Sequence, residues 1–216
     1  MSDPAALPAG SRLDENGQLL ALRRITERRL LRQQAWPRYR LDARALPRWH
    51  RQRTLQLPVN SAPRTRALVQ QWRAETPDDA ALIQRALAHF RQHTFRYTLR
   101  PPRLGPQPVD EFLFTTQAGF CEHYASSFVV MMRAAGLPAR VVIGYQGGAR
   151  SPVGDDWVIR QSDAHAWAEV WLAGEGWRRV DPTAAVSPDR IEQGLRGAFD
   201  TARGELPAFL RRDGST

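Results

Sequence analysis

The sequence predicts an α+β fold in which a helix headed by a cysteine packs on an antiparallel sheet. Three observations carry that expectation. The first is the stretch Gly119-Phe120-Cys121-Glu122-His123-Tyr124-Ala125-Ser126-Ser127-Phe128, which holds the only cysteine in 216 residues. It runs on through apolar Val129, Met131, Met132, Ala134 and Ala135, then meets Gly136 and Pro138, a helix-ending pair. The second is the order of patterns, with helical spacing before this stretch and β-branched runs after it. The third is that the gaps between those runs hold Gly, Pro and Asp. With no helix-length segment between them, the strands connect as antiparallel neighbours.

Residues 1–15 begin with Pro, Ala, Gly and Ser and read as loose. Between 18 and 34, Leu and Arg mix at neither a helical nor a strand period. Trp36-Pro37, Leu46-Pro47 and Leu57-Pro58 then interrupt the chain, so 16–57 read as short extended segments. Residues 1–60 are therefore expected to be an N-terminal extension, part of an upstream β-rich segment. Regular order begins at Ser61. Pro63 suits the first turn of a helix that buries Leu68, Val69 and Trp72. Thr76-Pro77-Asp78-Asp79 offers a capping hydroxyl, a proline at the first helical position and acids in the first turn. Ile83, Ala86, Leu87 and Phe90 follow at helical spacing, and His89 and His93 read as structural. Residues 95–99 form a strand candidate, the proline-rich 101–108 a loop, and 109–114 a turn-rich element. Strands are expected over 139–145, 157–159, 165–172 and 177–180, with Trp157, Trp167, Trp171 and Trp177 in the sheet core. Ser187-Pro188-Asp189 opens a last short helix. The ordered core is thus 61–195, followed by a polar tail over 196–216.

Hydrophobic content of 42% and charged content of 25% belong to a folded, water-soluble domain. No apolar run approaches the ~20 residues of a membrane span, and no secretory leader is recognisable. A single cysteine excludes an internal disulfide. The net charge of +9 is carried by arginine alone, since the chain has no lysine. A solvated basic surface accounts for this without a nucleic-acid partner, while attraction to anionic polymers or lipid remains reasonable.

A thiol in the first turn of a helix feels the positive end of the backbone dipole and unpaired N–H groups, which favours a nucleophile. A lone cysteine is more often an inert buried thiol, so position by itself assigns no role. Two later residues suit it as partners. His165 lies in Asp163-Ala164-His165-Ala166-Trp167-Ala168-Glu169-Val170-Trp171, and Asp181 in Arg179-Val180-Asp181-Pro182-Thr183. An imidazole takes the thiol proton and returns it to a leaving amine, and a carboxylate holds the ring. By the two-residue period, His165, Trp167, Glu169 and Trp171 share a face. A glycine turn at Gly174-Glu175-Gly176 lets Asp181 fall near Trp167, diagonal to His165. Geometry allows this register without requiring it. Zinc held by Cys121, His123, His165 and Asp181 fits poorly, because a Cys-x-His pair at a helix start points its side chains apart. Asp155-Asp156 lacks the oxygen-rich loop of a calcium site. No metal and no other cofactor is expected.

These motifs, with Gly136-Leu137-Pro138-Ala139-Arg140-Val141-Val142, Gly144-Tyr145 and Asp181-Pro182-Thr183-Ala184, resemble the transglutaminase-like core of the papain-like superfamily. Asp110-Glu111-Phe112-Leu113-Phe114 and Tyr145-Gln146-Gly147-Gly148 extend the likeness to bacterial inner-membrane TgpA-type proteins. The resemblance runs from about residue 63 to 192 and implies a papain-like, transglutaminase-like fold. It also implies Cys121 as nucleophile, His165 as base and acid, and Asp181 as orienting carboxylate. The reaction implied is acyl transfer from a protein or peptide glutamine to an amine donor through a thioester. An oxyanion would meet the Cys121 N–H and one further donor, for which Gln117, Tyr97 and Trp167 are candidates. The resemblance places such a core in the periplasm, attached to the inner membrane by flanking segments outside this chain. Two alternatives stand beside it: a cysteine hydrolase (protease or deamidase) with the same triad, and a non-catalytic module binding peptides or anionic polymers.

Overall fold

The computed structural model describes residues 7–14, 18–30 and 40–187. The expected helix at Ser187-Pro188-Asp189 and the polar tail lie outside the described residues, apart from Ser187 itself. The chain divides into two compact units, 1–39 and 40–216. In the first, β1 (Ser11–Leu13) pairs antiparallel with β2 (Leu19–Ala21). The Asp14 carboxylate accepts the Gln18 N–H at the turn between them.

The second unit opens with helix α1 (Arg48–Leu55), where the sequence reading expected extended chain. Pro47 caps this helix rather than breaking it, since a proline before the first turn gives up no helical hydrogen bond. α2 (Pro63–Glu75) and α3 (Asp79–Gln92) follow, burying Thr65, Val69 and Trp72 from one and Leu82, Ile83, Ala86, His89 and Phe90 from the other. The start of α3 differs from the expected cap. Thr76 closes α2, its N–H bonding the Trp72 carbonyl, so it is not available to open α3. The Asp78 carboxylate does so instead, accepting the Ala81 N–H at 2.6 Å.

β3 (Arg96–Tyr97) is shorter than predicted and pairs in parallel with β4 (Ala118–Gly119). Between them the turn-rich element is helical: α4 (Pro108–Glu111) runs into a π-helical turn at Phe112–Thr116 that ends on Gln117 at φ +46°. α5 (Cys121–Ala134) comes next, closed by Gly136 at φ +82°. Strands β5 (Ala139–Tyr145), β8 (Ala164–Leu172) and β9 (Gly176–Val180) form an antiparallel sheet in the order β5-β8-β9. The expected strand at 157–159 does not join it. Gly147 and Gly148, both at positive φ, end β5, and β6 (Ala149–Arg150) and β7 (Trp157–Val158) pair separately as a ribbon.

α5 lies on one face of this sheet. Tyr124, Ala125, Phe128, Met131 and Met132 recur at helical spacing and are fully buried, opposite Ala166, Ala168, Val170 and Leu172 of β8. Phe90, Phe95 and Phe112 complete the core around Tyr124, whose ring meets that of Phe112 edge-on at 5.0 Å. The tryptophans sit elsewhere than predicted. Trp167 and Trp171 occupy the alternate positions of β8, on the face away from α5. Trp171 and Trp177 donate their indole N–H groups to Asp42. Trp157 is exposed on the ribbon. The segment around Asp42 presses so closely that a Cβ on Gly176 would overlap the Leu41 carbonyl oxygen. The Arg140–Glu169 ion pair, 2.7 Å, bridges β5 and β8 on that outer face, and Arg140 also covers Trp177.

α2 has an alanine at its own N-cap and borrows a cap from elsewhere. The buried Asp110 accepts from the Arg64 and Thr65 backbone N–H groups and from the Thr65 hydroxyl. Removing the carboxylate strands those donors in the interior. Asp110→Ala should therefore cost about 3 kcal/mol, and Asp110→Asn roughly half of that. Urea-denaturation midpoints check it; an unchanged midpoint for Asp110→Ala would show that the cap carries no stability.

Candidate active site

Cys121 is the first residue of α5 and is 3% exposed. Its amide belongs to the first turn, where N–H groups have no partner within the helix. Two devices hold this turn. The Phe120 N–H donates to His123 Nδ1, and Phe120 and Phe112 flank the His123 ring. Gly119 lies so close beneath that an added Cβ would come within 2.7 Å of His123 Cβ. His123 thus braces the start of the helix. Burial holds its imidazole below the usual range, against the opposing hydrogen bond from Phe120.

His165 enters from β8. Its neighbour Ala166 packs in a small cluster with Phe120, Cys121 and Ala125. Asp181 follows the last residue of β9. Ala168 pairs with Val180, so the next position in register sets Asp181 opposite Trp167, diagonal to His165, a register the strand argument allows. Gly174 and Gly176, both at positive φ, make the turn that fixes this register. His165 Nε2–H donates to Asp181 Oδ2 at 2.7 Å, leaving Nδ1 as the ring nitrogen available to Cys121. Asp181 Oδ1 accepts the Thr183 N–H, which caps the short 3-10 turn Pro182–Ala185.

Electrostatics agree with the geometry. Burial by itself pushes the His165 imidazole down. The hydrogen bonds with Asp181 and Cys121, and the electrostatic pull of both groups, more than reverse this and raise it to about 9. Trp167 flanks the His165 ring at 6.3 Å between centroids, and its indole N–H is buried without a hydrogen-bond partner. Arg179 lies over Trp167 at 4.1 Å and comes within 3.5 Å of Asp181 Oδ2.

The three candidate oxyanion donors fare differently. Tyr97 packs against the Cys121 cluster, and its strand register pairs it with Gly119. Trp167 lies beside His165. The Gln117 side chain is engaged elsewhere, accepting from the Thr94 hydroxyl and donating to the Leu113 carbonyl.

Residues 66–182 match the sequence pattern of the transglutaminase-like superfamily. The chain belongs to this superfamily. A protein-glutamine gamma-glutamyltransferase of Pseudomonas aeruginosa is 46% identical over 175 residues, 81% of this chain and 26% of that protein. The periplasmic domain of TgpA from the same organism superposes with a TM-score of 0.69 at 48% identity, covering 70% of this chain and 53% of that one. Its ethylmercury-bound form gives 0.79 at 43% identity, covering 86% and 66%. The chain therefore spans about a quarter of the curated transferase.

Within this transglutaminase-like fold, sequence reasoning passed over two positioning residues. Asp163 accepts the Arg160 N–H and, through its backbone carbonyl, the Gln146 N–H, so it sets the turn that delivers His165. Arg179 was visible only as one more arginine in a basic chain. Its position two residues before Asp181, on the same strand face, was the available signal.

A folded-state pKa near 9 against an ordinary 6.5 means the charged His165 stabilises the fold fully below about pH 6.5, and that contribution is lost as pH rises through about 9. Histidine ring NMR should accordingly show His165 titrating well above neutrality, and the Asp181→Asn variant should bring its midpoint down. An ordinary midpoint in the unaltered chain would contradict the coupled arrangement.

Proposed function

We propose that this chain carries the acyl-transfer core of a protein-glutamine γ-glutamyltransferase, with Cys121 as nucleophile, His165 as base and acid, and Asp181 as orienting carboxylate. The observation that carries this reading is a single imidazole held on one nitrogen by Asp181 and coupled through its environment to Cys121. In the proposed reaction, His165 Nδ1 takes the thiol proton and Sγ attacks the γ-carboxamide carbon of a glutamine. The C–N bond breaks, ammonia leaves with the proton from His165, and a thioester remains on Cys121. A primary amine then attacks the thioester carbon as His165 Nδ1 takes one of its protons, the C–S bond breaks with that proton returned to Sγ, and an isopeptide bond forms. Water in place of the amine gives the free acid.

We assign the oxyanion to the Cys121 backbone N–H and the Tyr97 hydroxyl, on the strength of Tyr97's place against the Cys121 cluster. Trp167 is read as a shield for the His165–Asp181 hydrogen bond, since its indole N–H is already sealed from solvent. The relatives named as a transferase and a periplasmic domain support a core that faces the periplasm and meets envelope proteins. Among the described residues no helix is long and apolar enough to cross a membrane.

The test is incorporation of a fluorescent amine into a glutamine peptide, read beside ammonia release. Cys121→Ala should abolish both, and Asp181→Asn should lower kcat by roughly 10²-fold or more. Incorporation that survives Cys121→Ala would remove the covalent route. Ammonia release without incorporation would mark a hydrolase, and silence a binding module.

Tyr97→Phe should lower kcat by about 10²-fold with KM held, the mark of a contact made only in the transition state. A rise in KM at constant kcat would place Tyr97 in ground-state binding instead. With no lysine to offer, the chain incubated alone should form no lysine-linked ladder on a denaturing gel.

A further inference from the structure

A second cavity, of about 600 Å³, lies between α2, α3 and the π-helical turn. Nothing in the acyl-transfer reading uses it. Its walls combine two kinds of chemistry. Trp72, Leu113 and Phe114 give it an apolar lining, while Arg64 and Arg85 give it positive charge with no acidic side chain among the lining residues.

The two arginines are not equivalent. Arg85 is committed, bonding the Glu75 carboxylate at 2.6 Å and the Thr76 hydroxyl at 3.2 Å. The Arg64 guanidinium lies 4.4 Å from the centroid of the Phe114 ring. Among the described residues it makes no ion pair and no side-chain hydrogen bond. His89 and His93 also line the cavity. Burial, together with the neighbouring His93, lowers the His89 imidazole to about 4, so at neutral pH the His89 ring lines the cavity uncharged.

We propose that this cavity binds a small organic carboxylate with a flat apolar body. Arg64 meets the carboxylate, Trp72 and Phe114 flank the body, and the uncharged His89 ring forms part of the wall. The two guanidinium groups argue against a divalent cation on the His89–His93 pair. The apolar walls argue against a bare oxyanion.

The probe is 2-naphthoate, compared by calorimetry with its neutral relative 2-naphthylmethanol and with inorganic phosphate. 2-Naphthoate should bind more tightly than the alcohol. It should shift the ring resonances of His89 and His93 in NMR while leaving those of His165 in place. Arg64→Gln, at an exposed position, should weaken 2-naphthoate at least tenfold and change alcohol binding little. His89→Phe should lower affinity for both probes by filling the site; if that variant does not fold, Arg64→Gln decides. The proposal is overturned by any of four results: no binding of 2-naphthoate, equal binding of acid and alcohol, phosphate binding in preference to both, or a shift at His165 without one at His89. These outcomes are independent of amine incorporation, so failure here leaves the acyl-transfer reading standing, and the reverse holds too.

Discussion

Everything at the candidate active site depends on how closely α5 can approach β8. Cys121 and His165 are remote in sequence, and each is fixed to an element whose own position is set by packing. The helix brings large side chains to the contact, including Tyr124, Phe128, Met131 and Met132. The facing positions of β8 begin with alanines, Ala166 and Ala168, before Val170 and Leu172. Large groups on one side and small ones on the other let the layers interdigitate. A bulkier residue at Ala166 would push apart the two elements that the site joins. Gly119 applies the same logic on the other flank, where His123 and Phe112 leave no room for a Cβ.

The second constraint is electrical and follows from the first. Close packing buries His165, and burial disfavours its charged form. What restores the charge is the arrangement of partners. Asp181 is anchored by one oxygen to Thr183 N–H and presents the other to the ring. Trp167 flanks the ring and Arg179 lies over Trp167. The fold thus supplies a low-dielectric setting and a carboxylate strong enough to work within it. Neither alone yields an imidazole near 9.

Legibility in the sequence followed the strength of local signals. β5 falls on the expected 139–145, because its β-branched run is bounded by Pro138 on one side and by glycines on the other. The Asp181 register could be argued beforehand, since strand parity and a glycine turn are both local facts. The errors arose where a residue has two possible neighbours. Thr76 reads as a cap for the helix after it and in fact ends the one before. Pro47 reads as a break and opens a helix. The tryptophans read as core because they are large, yet β8 reserves its core face for alanines and aliphatic groups. Indoles go to the outer face, where Asp42 can accept their N–H bonds. The tie from Arg140 to Glu169, and the capping of α2 by Asp110, are long-range and leave no mark in local spacing.

The raised His165 also bears on the order of events in the proposed reaction. An imidazole raised to about 9 keeps, at neutral pH, the proton it takes from the Cys121 thiol. The proton that departing ammonia needs is therefore held on the ring through the attack, so the acid half of the cycle starts in place. The second half asks the opposite of the same residue, which must now accept a proton from the attacking amine. A thioester on Cys121 takes away the sulfur's share of the hydrogen bonding and electrostatic pull on the ring, leaving that of Asp181. His165 then becomes a weaker holder of its proton at the stage when it has to act as base. One imidazole with two partners, one of which is consumed by acylation, is thereby poised differently for each half of the reaction.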